Sequence, residues 1–175
     1  LSVRNECKEL LFVVEREAYR REPSVRCINF GLDGMQSFSF TLEEERSAVL
    51  VPAGQVGTYL YEPNASVLKA GAFKQIAVRT GVKKLQVNSH LYTADHLVSD
   101  FPGRRFRVDE VLSFTGKLCK GLSKTIPQAN ITVRNFPLSV EELRKRTKIT
   151  DGGHVYLFAT TLVDGEKVLV KCSKA

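Results

Sequence analysis

Three lysines are the residues of this sequence whose type and spacing are best suited to binding an anion. Lys117, Lys120 and Lys124 recur at intervals of three and four residues in a segment that predicts a helix from Gly116 to Ile126. Ammonium groups about one helical turn apart can follow a phosphate backbone, and such contacts make binding strongly salt-dependent. The alternative is a solvated edge that only aids solubility. We interpret the lysine edge as a candidate nucleic-acid contact.

Two further basic clusters are candidates for the same role. One consists of Arg104, Arg105 and Arg107, on a predicted strand where alternate side chains share a face. The other consists of Arg144, Lys145, Arg146 and Lys148, at the end of a predicted helix. The second cluster has another explanation, because the helix dipole favours basic side chains in the last turn.

A catalytic or metal centre is difficult to assemble from the remaining residues. The six-residue gap between His90 and His96 does not give the i,i+4 spacing of a metal pair on a helix, and His154 is remote in sequence. No G-x-S-x-G or G-x-G-x-x-G motif is present. Gly116-Lys117 fails as a phosphate loop because Val111 and Leu118 replace its Gly and Ser/Thr. We therefore expect no catalytic residue, metal or cofactor site in this chain.

Glu62-Pro63-Asn64 lies where a predicted strand passes into a helix, a common place for functional side chains. The preferred interpretation is structural: Pro63 and Asn64 set the turn and the helix cap, and Glu62 favours the positive helix start. An enzyme would need a pocket joining Glu62, His90 and Asp95, and this alternative has the least support.

Net charge divides the chain at Asp100-Phe101-Pro102-Gly103. Residues 1–103 carry 12 Lys+Arg and 12 Asp+Glu, whereas residues 104–175 carry 14 and 7, so the whole surplus of seven lies in the second segment. A basic segment beside a neutral one indicates an anionic partner, nucleic acid before membrane.

The 175 residues, 43% of them hydrophobic, fit one large or two small globular domains. No apolar run is long enough for a transmembrane helix, and the first residues do not have the pattern of a signal peptide, so we expect a cytoplasmic protein. Because the sequence begins at Leu1 rather than Met, we expect it to be part of a longer one. The four cysteines have no regular spacing and are expected to be free, partly buried residues.

The elements of the first segment alternate between strands and one long helix. Strands are predicted at Leu10 to Val14, Val25 to Phe30, Ser37 to Phe40, Gly57 to Tyr61 and within Asn88 to Asp95. The turn Gly31-Leu32-Asp33-Gly34 predicts a hairpin. A single helix is predicted from an N-cap at Asn64 to Gly81, with Leu68, Ala72, Phe73, Ile76 and Ala77 on its apolar face.

The second segment predicts a β-α-β-α-β-β unit. Its strands are expected from Arg104, from Ala129 to Arg134, from His154 to Leu162 and from Lys167 to Cys172. Its second helix begins with a capping box at Ser139-Val140-Glu141-Glu142 and ends before Asp151. Asp164-Gly165 is the hairpin signal between the last two strands. The expected fold is α+β, with two small domains, 1–103 and 104–175, each an open sheet covered by helices.

Four stretches resemble one protein family. They are Tyr59 to Gly71, Asn88 to Tyr92, Phe101 to Arg104 and Val155 to Thr161. The sequence resembles the C-terminal region of a bacterial class I S-adenosylmethionine-dependent methyltransferase-like protein, in which a ferredoxin-like domain precedes a THUMP-like domain. The resemblance covers nearly the whole chain.

The resemblance implies that the chain binds RNA while another domain does the chemistry. THUMP domains of RNA-modifying enzymes pair with a ferredoxin-like domain and grip RNA, typically a tRNA acceptor end. S-adenosylmethionine would then bind an upstream methyltransferase domain absent from this sequence, and the ten basic residues above become predicted RNA contacts. We expect a non-catalytic region that positions structured RNA, tRNA or rRNA. The alternative is a protein-interaction or dimerisation module whose exposed edge, such as Lys167 to Cys172, pairs with a partner.

Overall fold

A computed structural model describes residues 1–14, 16, 22–32 and 34–175. Its helices are α1 (Leu42–Ser47), α2 (Ala65–Ala70), α3 (Gln75–Thr80), α4 (Gly116–Thr125) and α5 (Val140–Thr147). Its strands are β1 (Ser2–Val3), β2 (Glu6–Cys7), β3 (Ser24–Gly31), β4 (Gly34–Thr41), β5 (Tyr59–Pro63), β6 (Lys83–Lys84), β7 (Tyr92–Ala94), β8 (Gly103–Ser113), β9 (Asn130–Arg134), β10 (Tyr156–Thr161) and β11 (Lys167–Lys174). The predicted α+β class is confirmed.

The N-terminal strands form a small sheet in the order β2-β1-β3-β4. Strands β3 and β4 pair antiparallel from Ser24 with Thr41 to Gly31 with Gly34, which confirms the predicted hairpin. Of the predicted turn residues, Asp33 lies outside the described part of the chain. This sheet packs Cys27, Phe38 and Phe40 against the buried faces of α2 and α3.

The predicted strand Leu10 to Val14 is wrong. These residues pair with no strand in the described part of the chain, and their exposure rises from 60% at Leu10 to 91% at Val14. A continuous apolar run predicts a strand only if a neighbouring surface buries it. Cys7 is also exposed, contrary to expectation, whereas Cys27, Cys119 and Cys172 are buried and free.

The predicted single helix from Asn64 to Gly81 is two short helices. Asn64 does cap α2, with its side-chain oxygen accepting from the Val67 backbone N–H at 3.2 Å, and Gly81 ends α3. However, Gly71 has a φ of +77° and ends α2, because its N–H turns back to the Leu68 carbonyl. The apolar residues keep their helical spacing on both sides of Gly71. This periodicity therefore gave no sign that Gly71 ends the first helix.

A second, larger sheet has the order β6-β7-β5-β8-β11-β10-β9. Strand β8 lies near its centre and pairs antiparallel with both neighbours: Gly103 to Arg107 face β5, and Phe106 to Ser113 face β11. The sheet therefore continues without interruption across residue 103. Because β11 lies between β8 and β10, Lys167 to Cys172 is not the exposed edge that the dimerisation hypothesis named. Among the described residues, the edges of this larger sheet are β6 and β9.

Residues 103–174 follow the predicted β-α-β-α-β-β order. The capping box of α5 is present, with the Ser139 hydroxyl accepting from the Glu142 N–H and the Glu142 carboxylate accepting from the Ser139 N–H. Helices α4 and α5 cover one face of the sheet, where Leu122, Ile126 and Leu143 pack with Leu157 and Leu169. None of the described helices is long and apolar enough to cross a membrane.

The opposite face of the sheet curls around a second core. Leu60, Phe106, Phe158, Val168 and Val170 are at most 1% exposed, although α4 and α5 lie on the other side. Three buried loop residues also belong to this core; they are Ala53, Leu85 and Leu91.

Candidate nucleic-acid interface

Glu62 is a buried carboxylate held between two arginines. Its Oε1 accepts hydrogen bonds from Arg134 Nη2 at 2.8 Å and Arg134 Nε at 3.2 Å. Its Oε2 accepts from Arg104 Nε at 2.8 Å and also from Arg104 Nη2. The Glu62 side chain is only 2% exposed, whereas the Arg104 and Arg134 side chains are 43% and 38% exposed. We call this arrangement the arginine clamp.

The sheet register explains half of the arginine clamp. Glu62 on β5 lies directly opposite Arg104 on β8, and Pro63 lies opposite Gly103. The approach at Gly103 is so close that a Cβ there would lie 2.1 Å from the Glu62 carbonyl oxygen. Two of the stretches that carry the family resemblance, Tyr59 to Gly71 and Phe101 to Arg104, thus meet at this point.

The curvature of the sheet explains the contact of Glu62 with Arg134. Arg134 ends β9, which is separated from β5 by β8, β11 and β10. In a flat sheet four strand spacings of about 4.8 Å would put β5 and β9 roughly 19 Å apart. Their side chains nevertheless meet, so the sheet bends far enough for the clamp to tie its β9 edge to β5.

The interpretation of Glu62 as a residue that favours the α2 start is wrong. Both of its oxygens are bonded to guanidinium groups, and the first N–H groups of α2 are capped instead by Asn64 Oδ1, which accepts from Val67, and by Asn5 Oδ1, which accepts from Ala65 at 2.7 Å. Sequence reasoning missed Arg134 because it lies 72 residues from Glu62 and on a different strand. One indirect signal was present in the sequence. Glu62 lies in a predicted buried strand, where an unpaired carboxylate is costly, so a cationic partner was to be expected.

A second cluster is aromatic and cationic and surrounds Phe73. The His90 and Phe73 ring centroids are 4.0 Å apart, and Lys84 Nζ lies 4.9 Å from the Phe73 ring centroid. Burial, with the positive charges of Lys84 and Arg134, lowers the pKa of His90 to about 4. His90 Nδ1 is buried and has no hydrogen-bond partner among the described residues. Burial also lowers the pKa of Lys84, to about 8, and its ammonium donates to the Val87 carbonyl at 2.7 Å.

The structure does not assemble the pocket of Glu62, His90 and Asp95. Asp95 Oδ1 accepts from the Thr58 backbone N–H at 3.3 Å, just before β5 begins. Thr58 and Glu62 are four residues apart on an extended chain, about 13 Å. Nor do His, Cys, Asp and Glu gather in threes as a metal site would require, within the part of the chain that the structure describes.

The lysine edge of α4 is exposed and approaches α5. Lys117, Lys120 and Lys124 are all solvent-exposed. Lys120 and Arg146 line one depression of about 200 Å³ between the two helices, together with Phe114, Gly116 and Cys119. Basic side chains from two helices therefore share one surface, which we call the helix-pair surface.

The other predicted contacts are distributed over several places. Arg107 is exposed on β8, while Arg105 on the same face donates to the Ser99 carbonyl. Lys145 and Lys148 are exposed, but Arg144 is turned inward, bonded to the Asp151 carboxylate and to the Ile149 and Ala129 carbonyls. Arg104 belongs to the arginine clamp. The ten residues are therefore not one continuous patch.

Comparisons with known proteins place this geometry in a family context. Residues 59–102 match the model of a ferredoxin-like domain, and residues 103–174 match the model of a THUMP domain-like family. A crystal structure from Porphyromonas gingivalis W83, described as a "putative methyltransferase", is 47% identical and has a TM-score of 0.83. The match covers 87% of the present chain and 38% of that protein. Comparison with curated proteins gives no match. Residues 59–174 of the chain are therefore similar to a ferredoxin-like domain followed directly by a THUMP-like domain.

Proposed function

We propose that this chain is a non-catalytic RNA-binding region that positions structured RNA, tRNA or rRNA, for an upstream methyltransferase domain of the same polypeptide. That domain would bind S-adenosylmethionine, and the present chain would hold the RNA. The residue range 104–175 would act as the RNA-contacting unit and 1–103 as the unit that orients it.

The helix-pair surface is the observation that carries this proposal. It gathers Lys120 and Arg146 from two helices, flanked by exposed Lys117 and Lys124, within the segment that holds the whole charge surplus. Phosphates are neutralised by such clusters, and the release of their counterions drives binding. The THUMP-like match and the methyltransferase described for the crystal structure support RNA as the polyanion.

The proposal is tested by measuring the affinity of the chain for a tRNA and an rRNA fragment over a range of salt concentrations. The variant with Lys117, Lys120 and Lys124 all changed to Glu should bind much more weakly. Its plot of log affinity against log salt should be shallower by roughly 2–3, because three phosphate contacts are lost. The matched control changes Arg26, Lys69 and Lys83 to Glu, three exposed bases of the neutral segment. Equal effects of the two triple variants would contradict the proposal.

A dimerisation module remains the competing function. If it pairs strand edges, those in the described residues are β6 and β9 of the larger sheet and β2 and β4 of the smaller one. Light scattering after size exclusion separates the two. A dimer that persists on dilution and has no RNA affinity would favour the interaction module.

A further inference from the structure

The arginine clamp contains more positive than negative charge. Two guanidinium groups share one carboxylate, so the three side chains together carry one uncompensated positive charge. A guanidinium has five N–H donors. Arg104 and Arg134 each use Nε and Nη2 on Glu62, which leaves three donors on each that Glu62 does not take.

Both arginine side chains are partly open to solvent. Glu62 is sealed at 2% exposure, whereas about two fifths of each arginine side chain is in contact with solvent. The Arg104 guanidinium also lies over the Phe106 ring, 5.4 Å from its centroid. Both planar groups are therefore held in place before any ligand arrives, which reduces the entropy lost on binding.

The positive charges of Lys84 and Arg134 both act on His90. Lys84 forms no ion pair with a described carboxylate, and its ammonium lies over the Phe73 ring against which His90 stacks. The buried Nδ1 of His90 has no partner in the described structure. The local field of this group favours an anion.

We propose that Arg104 and Arg134 form a binding site for one phosphate group of the RNA, with Glu62 fixing the two guanidiniums side by side. Guanidinium groups bind phosphate oxygens through paired N–H donors, and two of them at fixed separation select a tetrahedral anion. The site lies on β8 and β9, not on the helix-pair surface. That the phosphate belongs to RNA rests on the proposed function.

The first test uses inorganic phosphate alone with the full chain. Phosphate should raise the thermal unfolding midpoint in a saturable way relative to chloride at equal ionic strength. Arg134→Gln should abolish this increase, measured against its own midpoint without phosphate. A midpoint that does not respond to phosphate, or responds equally in the variant, would overturn the site.

Glu62→Gln distinguishes a phosphate site from a merely structural clamp. This variant keeps both guanidiniums and removes the negative charge that competes with phosphate, so phosphate should bind more tightly although the protein is less stable. If the clamp only supports the fold, disrupting it from either side should weaken phosphate binding indirectly. Arg134→Gln and Glu62→Gln should then both bind phosphate less well. Arg107→Gln, an exposed arginine of β8, is the control and should leave phosphate binding unchanged.

The RNA measurement separates failure of the site from failure of the proposed function. Arg134→Gln should lower RNA affinity and reduce the salt slope by about 1, and Glu62→Gln should not. If RNA binds but its salt slope ignores Arg134, the site is overturned and the proposed function stands. If no RNA binds, the proposed function fails and the RNA phosphate with it, while the inorganic phosphate measurement still decides whether the two arginines bind an anion.

Discussion

Arg134 Nη2 lies 2.8 Å from Glu62 Oε1, although the residues are 72 positions apart and three strands lie between β9 and β5. The contact joins the last residue of β9, in the segment that matches the THUMP-like model, to β5, in the segment that matches the ferredoxin-like model. Since Arg104 binds the other oxygen of the same carboxylate, one buried residue connects three strands of the curled sheet.

Removing Arg134 should loosen this closure. Arg134→Met deletes two charge-assisted hydrogen bonds to a buried carboxylate that Arg104 still holds, and we expect a loss of about 2 kcal/mol in the free energy of unfolding. Urea unfolding measures it. Arg107→Met changes an exposed β8 arginine and should stay within about 0.5 kcal/mol of the original protein. A similar small loss for Arg134→Met would show that the ion pair contributes nothing to the fold.

Two glycines should respond to alanine in opposite directions. Gly103→Ala places a Cβ 2.1 Å from the Glu62 carbonyl oxygen and 2.8 Å from Pro63 Cα, which forces β5 and β8 apart. We expect a loss of about 3 kcal/mol or more. Gly121→Ala, on exposed α4 with open space around the added carbon, should gain roughly 0.5–1 kcal/mol. Thermal unfolding compares them, and a tolerated Gly103→Ala would contradict the register between β5 and β8.

Stability should fall as the pH is lowered from 7 to 5, in part because of His90. Its pKa is about 4 in the folded protein, below the ordinary value of 6.5, so the unfolded chain binds a proton that the folded chain does not. The contribution of His90 is therefore fully present above about pH 6.5 and is lost as the pH falls toward 4. His90→Asn should flatten this dependence, since Asn tolerates the φ of +52° found there. His154→Gln alters an exposed histidine and should not; equal slopes in all three proteins would contradict the burial of His90.

The cysteines should differ sharply in reactivity. Cys7 is exposed, whereas burial raises the pKa of Cys27 to about 11 and also raises the pKa values of Cys119 and Cys172. A thiol alkylating reagent at neutral pH should label one site in the native protein and four after denaturation. Cys7→Ser should abolish native labelling. Rapid labelling of the other three would show that their cores open.

Local signals in the sequence predicted most of the second segment. The Ser139 capping box, the Asp164-Gly165 hairpin and the spacing of Leu118, Cys119 and Leu122 each depend on neighbours within a few residues, and all are present in the structure. These features need no knowledge of the distant chain.

Features that depend on distant contacts were missed. Leu10 to Val14 has the composition of a strand but no described surface buries it, and Gly71 breaks a helix whose periodicity continues beyond it. The arginine clamp was invisible because Glu62, Arg104 and Arg134 meet only when the sheet curls. Sequence spacing predicted the exposed lysine edge of α4 and named Arg104 as a candidate contact, but it did not predict Arg134 or the carboxylate that the two arginines share.

The boundary between the two matched family models, at residues 102 and 103, does not divide the larger sheet, because strand β8 pairs with a neighbouring strand on each side. Its first residues hydrogen-bond to β5 and its later ones to β11, so a protein cut before Arg104 would leave both fragments with an unpaired strand edge. Neither half is then expected to be soluble and folded when produced alone. The two segments should unfold in one cooperative transition, and they would be inherited, truncated or transplanted as a single piece.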